Sequence, residues 1–395
     1  MKKLCLYTIN FPYGNSETFL ESEVEILSKQ FNEVHIFPID CSGEKRKLPK
    51  NIKVHNVFVN VSPDANHSKV LLSNFFKVIG LFFKEFVKGR VQKKYIVKLH
   101  YILAFFIRAK AIKTYLVEKN LIDSIHYTYW FDMWSTCLSI ANVKYITRAH
   151  GFDLFEERSK NGFIPFRDLQ LKKVHEVYSV SKAGQLYLKD KYPRFKEKIK
   201  VSYLGTSDCG VFSLEKKNDV VMVSCSNVIQ LKRLDKIVDS LCLLKRELKW
   251  VHFGDGPLLE SVKELSKKIP SNVKVSFLGR KTNREVLEYY KSNSVDLFIN
   301  VSESEGLPVS IMEAISFGVP VVGTDVGGTS EIVGAQTGVL IEKDFTSKEL
   351  VEIFENKIDE MKSDEFRLGV RKFWENNFNA KENYIKFTTE LLKQK

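Results

Sequence analysis

The sequence predicts an α/β protein built from two Rossmann-like units. From residue 219 onward, short β-rich runs alternate with stretches of helical periodicity, the pattern of a parallel sheet flanked by helices. The first half opens in the same way, with a strand, a turn and a helix. A length of 395 residues suits two domains, and 44% hydrophobic with 28% charged residues marks a globular chain rather than a disordered one.

In the first half, strands are expected at 4–9, 34–38, 124–127, 144–147 and 176–180. A turn through Phe11, Pro12, Tyr13, Gly14 and Asn15 leads into a helix from about Thr18, where Thr18 and Glu21 have capping-box spacing. In the second half, strands at 220–226, 250–253, 273–278, 295–300 and 320–324 alternate with helices at 234–244, 258–268, 284–291 and 308–317. The join falls near Gly205. Ligands of such open sheets bind at the carboxyl ends of the strands, so the chemistry is expected there, facing a cleft between the two units.

The net charge of +13 is unevenly spread, because residues 66–119 hold twelve Lys and Arg against only Glu85 and Glu118. Within that stretch Phe75, Phe76, Ile79, Phe82, Phe83, Phe86 and Val87 recur at helical spacing among Lys77, Lys84, Lys88 and Arg90. Such a helix buries its apolar face equally well against protein or in the headgroup plane of an anionic membrane, and the sequence leaves both open. Nucleic acid is disfavoured as a partner, since no zinc finger, RNP-like motif or helix-turn-helix signature is present. The start has too short an apolar run for a secretion signal, and no stretch approaches a spanning helix, so a cytoplasmic chain is expected. The six scattered cysteines form no C-x-x-C pair and are expected to be reduced thiols.

The most informative segment follows the strand at 295–300. In Ser302-Glu303-Ser304-Glu305-Gly306-Leu307-Pro308-Val309-Ser310-Ile311-Met312-Glu313, Pro308 suits the first helical position. The helix then opens its free N–H groups and positive dipole end toward the cleft, where an anion can sit. Gly306 permits close backbone approach. Glu305 and Glu313 are carboxylates able to accept from vicinal hydroxyls of a sugar or ribose. Taken alone, Glu313 would read as an exposed helix carboxylate, but an anion site beside two hydroxyl acceptors suggests a nucleotide sugar.

Glu305 and Glu313 stand eight apart, and the segment resembles the Glu-x7-Glu motif of retaining glycosyltransferases of the GT-B fold, especially glycosyltransferase family four of the polysaccharide-biosynthesis type. Gly254 in Phe253-Gly254-Asp255-Gly256-Pro257, Gly279 in Phe277-Leu278-Gly279, and Gly327-Gly328-Thr329-Ser330-Glu331-Ile332 are similar to three further turns of that family. His150 in Arg148-Ala149-His150-Gly151-Phe152-Asp153 resembles the segment carrying its cleft histidine. Two departures stand out. The family usually places an Arg and a Lys five positions apart on the donor diphosphate, whereas here Asn227 precedes Lys232 and Arg233 stands next to it as a substitute for the lost charge. The N-terminal glycine-rich loop, which would face acceptor or diphosphate, is reduced to Gly14.

The resemblance implies an acceptor-binding domain over 1–204, a nucleotide-sugar domain over 205–372, and a closing helix over 373–395 that returns to the first domain. It implies His150, Glu305 and Lys232 as catalytic residues, and Arg233, Gly254, Gly279, Gly306, Leu307, Val309 and Glu313 as donor-binding ones. No Asp-x-Asp occurs, so neither metal nor cofactor is expected. The implied activity is retaining transfer of a sugar, with UDP-sugar the commoner donor, to a glycan or lipid-linked saccharide of a capsule or exopolysaccharide. An anionic membrane surface is a candidate partner, with the protein peripheral to it. A nucleotide-sugar 2-epimerase and a catalytically silent nucleotide-sugar-binding partner of another transferase are the alternatives. A NAD-dependent dehydrogenase is disfavoured, because neither half has a G-x-G-x-x-G turn.

Overall fold

The computed structural model describes residues 2–14, 16–57, 67–87, 98–159, 162–210 and 220–393. They form two compact units: Met1–Val180 with Gly184–Ser202 and Ile385–Lys395, and Ser181–Ala183 with Tyr203–Tyr384.

The first unit carries strands β1 (Lys3–Thr8), β2 (Glu33–Pro38), β3 (Ile52–Val54), β4 (Ile125–Thr128), β5 (Ile146–Ala149), β6 (Glu176–Ser179) and β7 (Ile199–Val201). They pair in parallel in the order β3-β2-β1-β4-β5-β6-β7. The second unit carries β8 (Val220–Cys225), β9 (Leu248–Phe253), β10 (Val273–Phe277), β11 (Leu297–Asn300), β12 (Val321–Thr324) and β13 (Gly338–Ile341). These are also parallel, in the order β10-β9-β8-β11-β12-β13. The strand order reverses direction between β1 and β4 in one sheet and between β8 and β11 in the other, which are the switch points where such sheets bind ligands. Central strands such as β1 and β11 are buried almost throughout, because helices cover both faces of a parallel sheet. The three strands absent from the sequence reading, β3, β7 and β13, are short edge strands, half-exposed and too brief to show a period.

Several expectations are corrected. The first helix spans Leu20–Gln30 with no side-chain cap, so Thr18 and Glu21 form no capping box. Glu17 holds that loop instead. Its buried carboxylate accepts from the backbone N–H groups of Ile9, Asn10 and Phe11 at 3.2, 2.7 and 2.6 Å and from Trp130 Nε1 at 2.6 Å. The closing segment is two helices, Asp364–Asn377 and Ala380–Leu392, and Phe373 lies inside the first. Thr206 interrupts them, donating to Phe378 O at 3.0 Å and accepting from Ala380 N at 3.1 Å. The part of the chain that returns to the first unit therefore begins at Ile385, not at 373. There Phe387 and Leu391 enter the core, with the Phe387 ring 5.1 Å from Tyr127 and 5.2 Å from Tyr178 and the Arg148 guanidinium 4.1 Å above it.

The basic stretch forms the helices His67–Val87 and Lys98–Glu118. The second is the better buried, its Ile102, Phe105, Ile112 and Leu116 joining the core. On the first, Val78 is buried while Phe76 and Val87 are 88% and 81% exposed, with Phe75 and Phe83 also in solvent and Ile79 and Phe82 half-buried. Lys88, Arg90 and the Phe86 side chain lie outside the described residues. Among the described residues, no helix is long and apolar enough to cross a membrane.

Candidate functional site

In the second unit the chemistry gathers at the β8–β11 switch point. β11 ends at Asn300, and the loop after it leads to the helix Val309–Ser316, with Pro308 at its N-cap rather than inside it. The Val309 and Ser310 amides at the start of that helix have no intrahelical acceptor, while Ile311 N donates to Pro308 O at 3.2 Å, and the helix dipole adds partial positive charge there. Gly327 and Gly328 fix this loop from beneath. A Cβ on Gly327, at φ +57°, would lie 1.9 Å from Glu305 O, and Gly328 N donates to Gly306 O at 2.7 Å.

Glu305 is 9% exposed and accepts from Lys232 Nζ at 2.6 Å and from Asn300 Nδ2 at 3.1 Å. Lys232 arrives on the turn Gln230–Lys232 after β8, which is tied to the β11 loop by Glu303 N donating to Leu231 O at 2.8 Å. Glu313, expected to be exposed if it were an ordinary helix carboxylate, is buried, and burial pushes its pKa up to about 7 against a hydrogen bond from Asn283 Nδ2 that lowers it. A buried carboxylate that accepts only one donor from the described residues has lone pairs left for hydroxyls. Leu307 is buried, and Val309 is half-buried at the helix start.

Arg233 adopts φ +50° between the turn and the next helix, and its guanidinium donates to the carbonyls of Val301, Lys343 and Ser302 at 2.7, 2.8 and 3.2 Å, so each of its three nitrogens braces a loop. The loops after β8, β9 and β10 are stitched together, Ser226 N to Phe253 O at 2.9 Å and Gly254 N to Gly279 O at 2.9 Å. Gly254 has φ +151°, and a Cβ there would meet Ser226 O at 1.8 Å. Gly279 has φ +69° and open space where a Cβ would stand.

In the first unit, His150 follows β5 and stands at the N-cap of the short helix Gly151–Leu154, its backbone N–H donating to Asp153 Oδ1. Its ring lies 4.6 Å from Tyr129 and 4.5 Å from Trp130. The residue is 7% exposed, and neither ring nitrogen has a hydrogen-bond partner among the described residues, although Nδ1 lies 3.9 Å from Asp153 Oδ2. Buried nitrogens of this kind are costly unless something supplies a partner. Asp153 also accepts from the His150 and Phe131 amides, while Arg148 pairs with Glu23 at 3.5 Å, so Arg148 and Asp153 serve different partners. Gly14, at φ +61°, lies in the loop after β1, where its carbonyl accepts from Arg46 Nη2 at 2.7 Å. Asn300, Asn283, Glu17 and Trp130 were not singled out in the sequence. No spacing marks them, since each acts through a partner distant in the chain or at a strand end. Among the described residues, no group of three or more His, Cys, Asp or Glu could hold a metal ion.

Residues 211–383 match the family described as Glycosyl transferases group 1. The chain is 23% identical over 234 residues to the GtfA subunit of a UDP-N-acetylglucosamine–peptide N-acetylglucosaminyltransferase of Streptococcus parasanguinis, covering 57% of this chain and 45% of that protein. It is 28% identical over 217 residues to the N-acetyl-alpha-D-glucosaminyl L-malate synthase of Bacillus anthracis, covering 51% and 55%. The chain thus spans about half the length of these curated relatives. Among solved structures, the lipopolysaccharide outer core galactosyltransferase WaaB aligns over 100% of both chains with a TM-score of 0.69 at 15% identity. Anabaena HepE in complex with UDP aligns over 100% of both with 0.67 at 17%. At such identities these show the fold, the two-unit Rossmann-like architecture of the GT-B type. The chain is related to glycosyltransferases of that fold.

Proposed function

We propose that the protein is a retaining, metal-independent glycosyltransferase of family-four type that moves a sugar from a nucleotide donor, a UDP-sugar by preference, to a glycan or lipid-linked acceptor in surface polysaccharide assembly. The observation that carries this reading is the pair of buried carboxylates, Glu305 in the loop before the helix Val309–Ser316 and Glu313 within it, with the amino end of that helix opening at the switch point beside Lys232. One helix start supplies donors for phosphate oxygens, and the two acids supply acceptors for hydroxyls.

In this reading Glu313 takes the ribose hydroxyls, Glu305 the hydroxyls of the transferred sugar, and Lys232 with the backbone N–H groups of Gly306, Leu307, Val309 and Ser310 the diphosphate. Gly254 and Gly279 keep the neighbouring loops low enough for the nucleotide to lie over them, and Leu307 and Val309 complete the helix start. His150 donates to the sugar as charge develops at its anomeric carbon. The bond from that carbon to the phosphate oxygen breaks, the acceptor oxygen bonds from the same face, and its proton passes to the departing phosphate. Preorganised donors aimed at the leaving group are each worth about 10²–10³ in rate. Exposed Phe75, Phe76 and Phe83 beside Lys77 and Lys84 support a peripheral position on an anionic membrane surface, with the protein in the cytoplasm.

Proton NMR of the transfer product tests the reaction class: a glycosidic bond with the anomeric configuration of the donor is expected. An inverted product, or an epimerised nucleotide sugar formed without acceptor, would contradict it.

A further inference from the structure

A nucleoside diphosphate brings two to three negative charges, and the second unit's cations at the carboxyl end of its sheet are largely committed. Lys232 is paired with Glu305 at 2.6 Å, Arg233 is spent on three carbonyls, and Lys343 is paired with Glu303 at 3.3 Å. Arg280 is different. It is exposed, directly follows Gly279 in the loop after β10, and has one hydrogen-bond partner among the described residues, the Asn227 side chain, whose Oδ1 accepts from Nη2 at 3.4 Å. The pairing crosses from the loop after β10 to the loop after β8, which are not neighbours in the sheet. The loop after β9 joins them, with Leu278 N donating to His252 O at 2.9 Å, Gly254 N to Gly279 O at 2.9 Å and Val228 N to Asp255 O at 3.0 Å.

This arrangement does two things. Asn227 accepts through its oxygen, so its amide N–H groups are left to donate outward. Among the described residues, one of the five N–H donors of Arg280 is engaged, and its planar fork fits phosphate oxygens in bidentate fashion. The position after β8 therefore presents hydrogen-bond donors, while the full positive charge comes from a different strand.

Resting on the donor reading above, we infer that Arg280, steadied by Asn227, is a diphosphate-binding residue of this site and supplies there the second cation beside Lys232. The guanidinium then meets the non-bridging oxygens of the donor diphosphate, and it holds the leaving nucleoside diphosphate as it forms.

The test is a calorimetric titration of the full chain with whichever of UDP, GDP and ADP the wild type binds most tightly, together with the matching monophosphate and nucleoside. Arg280→Ala is expected to weaken the diphosphate about tenfold or more, to weaken the monophosphate less, and to leave the nucleoside unchanged. Arg280→Lys should lose only part of this, and Asn227→Arg placed on Arg280→Ala should recover affinity by returning a cation to the same rim. Equal weakening of all three ligands would assign Arg280 to the base and overturn the inference. So would a diphosphate affinity within twofold of wild type while Lys232→Ala lowers it. A wild-type chain that binds none of the three diphosphates would overturn the donor reading itself, and this inference with it.

Discussion

Glu313 is buried next to Asn283 with a pKa near 7, well above the ordinary 4.5, so the folded state favours its protonated form. The sign follows directly. The contribution is fully present below pH 4.5, is lost as pH rises through 7, and amounts to on the order of 3 kcal/mol. Glu313→Gln is therefore expected to gain stability relative to wild type between pH 5 and pH 8 in denaturant unfolding, and a gap that does not change with pH would contradict the burial argument. Ribose hydroxyls need the ionised acceptor, so nucleotide affinity should rise through pH 7 in wild type and stay flat and weak in Glu313→Gln. The spacing of Glu305 and Glu313 was legible in the sequence because one short loop and the helix it leads into carry both. The fate of Arg233 was not, because a left-handed φ of +50° at that residue redirects its side chain away from any helical position. The partner that Arg280 finds in Asn227 lies 53 residues away and leaves no local pattern.

At the scale of elements, the central strands and their helices were legible through periodicity, while edge strands β3, β7 and β13 were too short to register. The Gly327–Gly328 pair was visible as a motif, but its task, letting one loop lie against the backbone of Glu305, appears only in three dimensions. Gly327→Ala must move that backbone, since both its φ and the 1.9 Å approach exclude a side chain. It is expected to lower transfer at least tenfold by displacing Glu305, and wild-type turnover in this variant would show the loop position to be unimportant. The helix His67–Val87 makes a separate prediction. Its exposed aromatics and Lys77 and Lys84 should partition onto anionic vesicles, each lysine near the surface adding about 1 kcal/mol. Phe76→Asp with Lys84→Glu should reduce co-sedimentation with such vesicles about tenfold or more, and equal binding of wild type to neutral and anionic vesicles would contradict the electrostatic part.

For the whole molecule, the two Rossmann-like units were foreseeable from the alternation of strands and helices, and the return of the chain to the first unit was foreseeable as a closing helix. Its break was not. Thr206 replaces the continuing helical bonds at Phe378 and Ala380 through partners more than 170 residues away, which no window along the sequence can see. The account as a whole rests on the second unit holding a nucleotide sugar at its switch point. A crystal structure with the bound nucleotide sugar tests this most directly. The account predicts diphosphate oxygens within hydrogen-bond reach of Lys232 Nζ and the backbone N–H groups of Gly306, Leu307, Val309 and Ser310, with the ribose on Glu313. Nucleotide bound elsewhere in the unit, with the Lys232–Glu305 pair and the helix start untouched, would contradict it.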